Sequence, residues 1–184
     1  AGVTNEYFIG GPATSYFARD FINEFIKEAQ ELGLRVDFIS WHVYDPKPNK
    51  ISQDAKLLSS ILSDKPSMGN VLKVVSEWGS YPQKHLWHDT IFDNSHMVAT
   101  IAKTLGEVDM LFYFEIKDGK TRDSDANIGG WGIIAPEELG FRKKPRFHAL
   151  TLVNTLKPLR FAVAGENENV YAIASGDDRT HVRT

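Results

Sequence analysis

The sequence predicts an α/β fold in which parallel strands alternate with helices. Three observations predict it. Four β-leaning runs are each followed by a segment of helical apolar spacing, the third run is apolar almost throughout, and reactive side chains recur at the strand ends. Such βα units join by right-handed crossovers into either an open doubly wound sheet or part of a closed barrel. No strand is followed by GxGxxG or GxxxxGK[ST], so the nucleotide-binding form of the open sheet has no support. Ser40, His42 and Tyr44 after the second strand, Glu77 and Trp78 after the third, and Asp118 after the fourth fit a barrel, whose βα loops open onto one face where a site is built.

Taken in order, Glu6 to Ile9 reads as a short strand closed by a turn at Gly10, Gly11 and Pro12. Phe17, Phe21, Ile22, Phe25, Ile26, Ala29 and Leu32 then fall at spacings of three and four, one face of a helix ended by Gly33. Val36 to Ser40 is a second strand, Trp41 to Ser52, with Pro46 and Pro48, an irregular loop, and Gln53 to Leu62 a second helix. Val71 to Val75 is the third strand, with Glu77 at its end. A polar, aromatic loop from Trp78 to Thr90 leads into a helix lined by Val98, Ile101, Ala102 and Leu105, with Gly106 at its C-terminus. Met110 to Ile116 is the fourth strand, Lys117 to Lys144 a long Gly-rich loop, and Pro145 to Leu156 a helix with proline in its first turn. Beyond Leu159, Val170 to Ser175 and Thr180 onward read as two strands around Gly176, Asp177 and Asp178, a hairpin too short to stand alone.

Composition narrows the function classes. With 42% hydrophobic and 24% charged residues among 184, the chain has ordinary globular content and enough length for one sizeable core. A formal net charge of -3 gives no reason to expect nucleic acid or an acidic membrane surface as partner. The one basic cluster, Arg142, Lys143, Lys144 and Arg146, sits where loop meets helix and reads as a solvated turn. Cysteine is absent, which removes disulfides, thiolate chemistry and Cys-based zinc sites but leaves the compartment open. No run of 18 apolar residues and no signal-like N-terminus occurs, so a soluble chain is expected. The sequence starts at Ala1 and stops at Thr184 within an apparent strand, which reads as cut from something longer.

Glu77 is the foremost candidate for chemistry. It ends an apolar strand beside Trp78 and Gly79, placing a carboxylate next to an aromatic surface. Sugars suit such a site, because ring CH faces pack on aromatics while carboxylates bond hydroxyls or attack the anomeric carbon; a strand-end cap or ion-pair partner is the plain structural alternative. His42 and Tyr44 share one side of an extended strand and so could reach the same pocket, where either would donate to a carboxylate or a substrate hydroxyl. His85, His88 and Asp89 form HLWHD; on a helix the two imidazoles would share a face suited to a metal, but Pro82 and the polar surroundings favour a loop. Asp89 followed by Thr90 also suits the start of a helix. Trp87 and Trp131 could serve as sugar platforms or as lids on a core. There is no GxSxG and no Ser, His, Asp nucleophile set.

Gly10 to Ala13, Asp37 to Ser40 with His42 and Tyr44, Val75 to Gly79, His88 to Thr90, Tyr113 to Asp118, Gly130 to Gly132 and Lys144 with Pro145 occur in an order and spacing that resembles glycoside hydrolase family 39. That family contains β-xylosidases and α-L-iduronidases within a clan of (β/α)8 retaining glycosidases. The resemblance runs from Tyr7 to about Ser175. It implies that residues 1–160 are the C-terminal half of the barrel, strands five to eight, and that residues 161–184 begin a C-terminal accessory β-sandwich. It further implies Glu77 as the nucleophile of a double displacement at an O-glycosidic bond, with His42, Tyr44, Trp78, Asp118 and Trp131 as substrate contacts and no cofactor or metal.

The same resemblance places the family's acid/base glutamate after an Asn at the end of strand four, before Ala1. Asn5 and Glu6 form that dipeptide but stand too near the Gly10 turn to supply a βα unit, and Glu115 is expected inside strand eight, so neither is assigned the role. Lacking the acid, the chain alone is expected to turn over little, since general-acid assistance is typically worth about 10² to 10⁴ in rate. The carbohydrate is the one expected ligand, and exposed edges of a half-barrel predict self-association. Two rival readings share the residues: a carbohydrate-binding domain without catalysis, and a metal hydrolase built on His85 and His88.

Overall fold

A computed structural model describes residues 7–119, 129–165, 167, 169–177 and 182–183. Contacts divide the chain into two compact units. Unit one comprises residues 1–44, 50–79 and 106–113; unit two comprises residues 45–49, 80–105 and 114–184.

Unit one is a four-stranded parallel sheet with two helices. Strands β1 (Gly10–Thr14), β2 (Phe38–Tyr44), β3 (Leu72–Gly79) and β4 (Met110–Tyr113) pair in that order. Helix α1 (Arg19–Glu31) follows β1, and α2 (Lys50–Ser63) follows β2. Each helix buries one stripe, Ile22, Ile26 and Ala29 in α1 and Ile51, Ala55 and Leu58 in α2, while Ile39, Trp41, Val43, Val74 and Val75 form the buried part of the sheet. Burying apolar surface is worth about 25 cal/mol per Å², so these side chains, not local propensity, hold the unit together. Phe21 and Leu32, counted in the predicted apolar face of α1, are exposed instead. The stripe that meets the core is narrower than the apolar content of the helix.

The first strand corrects the reading of the glycines. Gly10, Gly11 and Pro12 are the strand itself, not the turn that closes one. Gly10 lies so close to β2 that a Cβ there would stand 2.2 Å from the carbonyl oxygen of Phe38, so only glycine permits this pairing. The second strand runs on through Trp41 to Tyr44, residues expected to be loop, because their backbone pairs with β3 and the side chains of Trp41 and Val43 are buried. The fourth strand ends at Tyr113, so Glu115 lies beyond it, contrary to expectation.

Unit two contains α3 (Ile91–Thr104), α4 (Pro145–Val153) and a three-stranded antiparallel sheet of β5 (Leu159–Phe161), β6 (Ala174–Gly176) and β7 (Val182–Arg183). Thr90 caps α3: its Oγ1 accepts from the backbone N–H of Phe92 and donates to the carbonyl of Trp87. Gly106, at φ +83°, sits just past the end of α3, as expected. Proline occupies the first turn of α4. The two helices pack against each other. Strand β5, three residues long, carries no local signal and is visible only through its pairing with β6. Glu6, Asp178 and Thr180, which figured in the sequence reading, lie outside the described residues.

Candidate functional site

In unit one the register of the sheet sets the site. Ser40 pairs with Val74 and Trp41 with Val75, but the next residue of β2, His42, pairs with Glu77. The third strand therefore carries one extra residue at Ser76, whose Oγ donates to the carbonyl of Trp41 at 3.3 Å. Without it His42 would stand opposite Ser76. With it, His42 and Glu77 are both part-exposed neighbours, while Val43 and Trp78, the next pair along, are both buried. Relative to β4 the same extra residue recurs, since Val75 pairs with Leu111 and Trp78 with Tyr113.

The resulting cluster is compact. Tyr44 donates its hydroxyl hydrogen to Glu77 Oε1 in a short hydrogen bond. His42 Nδ1 lies 3.8 Å from Glu77 Oε2, within ion-pair range but not hydrogen-bonded. The Glu77 side chain keeps 29% of its surface exposed, so the carboxylate is held by a donor on one oxygen and open at the other. A carboxylate fixed this way keeps a lone pair available for attack or for a ligand hydroxyl.

Trp78 departs from its expected role. It is 2% exposed and meets Tyr113 edge to face at 5.1 Å, so it is a core residue of unit one and no open platform for a sugar. Strand alternation is the reason: a neighbour of Glu77 in an extended chain points to the opposite face.

Unit two holds Asp118 and Trp131. Asp118 is buried, and its carboxylate accepts the N–H of Gly132 at 2.6 Å through Oδ1 and pairs closely with Lys144 Nζ through Oδ2. Those bonds make it a brace, where the sequence had suggested a sugar contact. Lys144 Nζ also lies 2.7 Å from Asp89 Oδ1 and donates to the carbonyl of Gly130 at 3.1 Å, and Asp89 Oδ2 accepts the N–H of Gly129. The fully buried Arg146 donates to the carbonyls of Gly130 and Gly132 at 2.7 and 2.9 Å and pairs with Asp93 at 2.8 Å. Asp93 also takes the hydroxyl hydrogen of Ser80. A Cβ on Gly130 or Gly132 would stand 2.3 or 2.2 Å from atoms of Asp118, so both glycines are required by this clamp.

Lys144 and Arg146 thereby overturn the reading of the basic cluster as a solvated turn. Arg142 and Lys143 do face solvent, but the other two are buried and matched by Asp118, Asp89 and Asp93. Buried charges persist only where paired and hydrogen-bonded, a condition set by residues remote in sequence. Nothing local to residues 142–146 announces it.

Trp131 is half-buried, donates its indole N–H to the carbonyl of Tyr81 at 3.2 Å, and meets Phe114 edge to face. The histidines proposed as a metal pair are occupied by backbone: His85 Nδ1 accepts from the N–H of Trp87, and His88 Nδ1 bonds the carbonyl of Gly129 at 2.8 Å. His88 is fully buried, and burial pushes its pKa below the usual 6.5, with Gly129 and Asp93 opposing. As a neutral ring it donates from Nδ1 to that carbonyl. Among the described residues no group of three or more His, Cys, Asp or Glu is placed to hold a metal ion. Glu115 is shifted the other way: burial, followed by the charge of Asp118, raises its pKa above 4.5.

No protein-family model matches the chain. Individual proteins do. A β-xylosidase of Geobacillus stearothermophilus is 24% identical over 169 residues, covering 80% of this chain and 33% of that protein. A family 39 β-xylosidase from Caulobacter crescentus superposes with a TM-score of 0.74 at 23% identity, over 92% of this chain and 36% of the other. The family 39 enzyme from Xanthomonas axonopodis pv. citri gives 0.77 at 20% identity, over 95% and 37%. Sequence and fold agree. This chain is a homologue of family 39 β-xylosidases. It spans about a third of their length. The chain has an α/β fold of parallel βα units that matches part of a family 39 TIM barrel.

Glu77, Tyr44 and His42 come together in unit one, and Asp118 and Trp131 lie in unit two with structural bonds of their own. The sequence reading missed Asp93, Arg146 and Lys144 as a group. The available signal was the coincidence of Gly129, Gly130 and Gly132 with acids at 89, 93 and 118, a pattern that only a three-dimensional clamp makes meaningful.

Proposed function

We propose that this chain is the part of a retaining glycosidase, β-xylosidase-like in substrate, that carries barrel strands five to eight and the nucleophile Glu77. The observation behind the reading is the Glu77 carboxylate itself, anchored by the Tyr44 hydroxyl at one oxygen and part-exposed at the other, on a strand whose sequence and fold relatives are β-xylosidases. In this reading Glu77 attacks the anomeric carbon and the glycosyl–oxygen bond breaks, leaving a covalent glycosyl ester that water hydrolyses in a second step. Tyr44 releases and regains the Oε1 bond as negative charge leaves and returns to the carboxylate, and His42 orients Oε2 or a substrate hydroxyl. A second carboxyl group about 5 to 5.5 Å away must protonate the leaving oxygen; we assign it to polypeptide outside these residues.

The test joins this chain to a family 39 N-terminal half-barrel and assays aryl β-xyloside hydrolysis. Glu77→Gln is expected to lower kcat by roughly 10⁴-fold or more, the scale seen when a covalent nucleophile is removed. A 2-fluoro-xyloside is expected to label Glu77 in peptide mass spectra. Activity that survives Glu77→Gln, or a label on another carboxylate, rejects the assignment. Hydrolysis absent with carbohydrate binding retained selects the non-catalytic binding reading.

A further inference from the structure

Unit two contains a groove of about 550 Å³ that the reading of Glu77 leaves unused. None of its lining residues belongs to β2 or β3. We infer that this groove is a second carbohydrate site, one that takes a neutral pyranoside.

Three features of the groove lead there. Its volume lies in the range of roughly 300 to 1,000 Å³ usual for small-ligand pockets. Its wall carries open aromatic surface: Trp87 is 45% exposed and Phe92 62%, and their rings stack at 5.5 Å with 27° between planes. Tyr81 meets Trp87 edge to face and so fixes its orientation. The apolar CH face of a sugar ring packs on such a platform, and the rings lose little side-chain entropy in receiving it.

The polar part of the wall is uncharged. Asn94, Ser95 and Asn169 supply amides and a hydroxyl, and Asn94 Oδ1 is buried with no hydrogen-bond partner among the described residues, a deficit that a ligand hydroxyl would relieve. The two lining groups able to carry charge near neutral pH, Asp93 and His96, are neutralised within unit two. Asp93 is 3% exposed and bonded to Arg146 and Ser80, and His96, pushed to a low pKa by burial, bonds the carbonyl of Asp45 at 2.9 Å. Among the lining groups an anion finds no free cation and a cation finds no free acid, and the nearby Lys103 ammonium lies over the Tyr171 ring at 4.8 Å. A ligand with one apolar face and many hydroxyls matches what remains.

The experiment titrates the ¹⁵N-labelled 184-residue chain with xylotetraose, with cellotetraose and inorganic phosphate in parallel, and follows the Trp87 indole and the Asn94 and Asn169 side-chain amide signals. Either sugar is expected to give saturable shifts of these signals and phosphate none. Glu77→Gln is expected to leave them unchanged, whereas Trp87→Ala weakens binding about tenfold or more. Phe92→Ala, at a more exposed ring, provides the same readout should Trp87→Ala fail to fold. The inference is overturned if neither sugar shifts these signals, if the shifts are confined to Glu77 and Tyr44, or if phosphate competes. Because the readout ignores hydrolysis, loss of the glycosidase reading would leave this result standing, and the reverse.

Discussion

The Tyr44 hydroxyl and the Glu77 carboxylate meet because one extra residue in β3 changes which side chains face one another. A hydrogen bond to a charged acceptor is worth about 1.5 to 3 kcal/mol, so Tyr44→Phe in the completed barrel should lower kcat by roughly 10- to 100-fold. A steady-state assay with an aryl xyloside, alongside a denaturation curve showing little loss of stability, checks it. His88 makes a second prediction at this scale. Its folded pKa lies below the unfolded value of 6.5 because burial disfavours the charged ring. Below 6.5 the unfolded chain therefore binds a proton that the folded chain refuses, and stability falls as pH falls through that window until the folded ring itself titrates. Urea unfolding between pH 7.5 and about 5 should show this decline, and His88→Gln should lessen it, the remainder including His96, whose pKa burial also lowers. A pH slope unchanged in the variant would assign the decline to other groups. Glu77 and His42 were legible as candidates because catalytic side chains stand at strand ends. The fates of Trp78, Asp118 and Lys144 were not, since whether a polar or aromatic side chain is buried depends on partners distant in the chain.

Helices and strands were read with unequal success, and the reason is physical. The spacing of Ile22, Ile26 and Ala29, the glycines after α1 and α3 and the proline opening α4 are local signals, and the helices lie where they point. Strand β1 was displaced by several residues because Gly10 and Gly11 ordinarily mark turns, whereas here both are strand residues and contact with Phe38 demands glycine at Gly10. The capped start of α3 gives a prediction for elements. Thr90→Ala removes an acceptor for the Phe92 N–H and should cost about 1 kcal/mol, read as a lower urea midpoint with unchanged m-value. A change of no more than about 0.2 kcal/mol would mean the Trp87 and Leu86 turn holds the helix start without the threonine.

Across the molecule, the sheet of unit one ends in β1 on one side and β4 on the other, and Phe8, Ile9, Met110 and Phe112 at these edges are exposed. Unpaired strand edges flanked by apolar side chains recruit further strands. Light scattering on the chain should therefore give a mass that rises with concentration, and adding the N-terminal half-barrel in trans should abolish the rise. A constant monomer mass would contradict this account of the edges. The sequence by itself determined the alternation of strand and helix and the likeness to family 39, because each is written in short-range periodicity or in motif order. Only the tertiary structure decided that Trp78 is core, that Lys144 and Arg146 are buried between aspartates, and that an added residue at Ser76 brings His42 level with Glu77. Burial and register are properties of which segments meet, and that information is absent from any single stretch of chain.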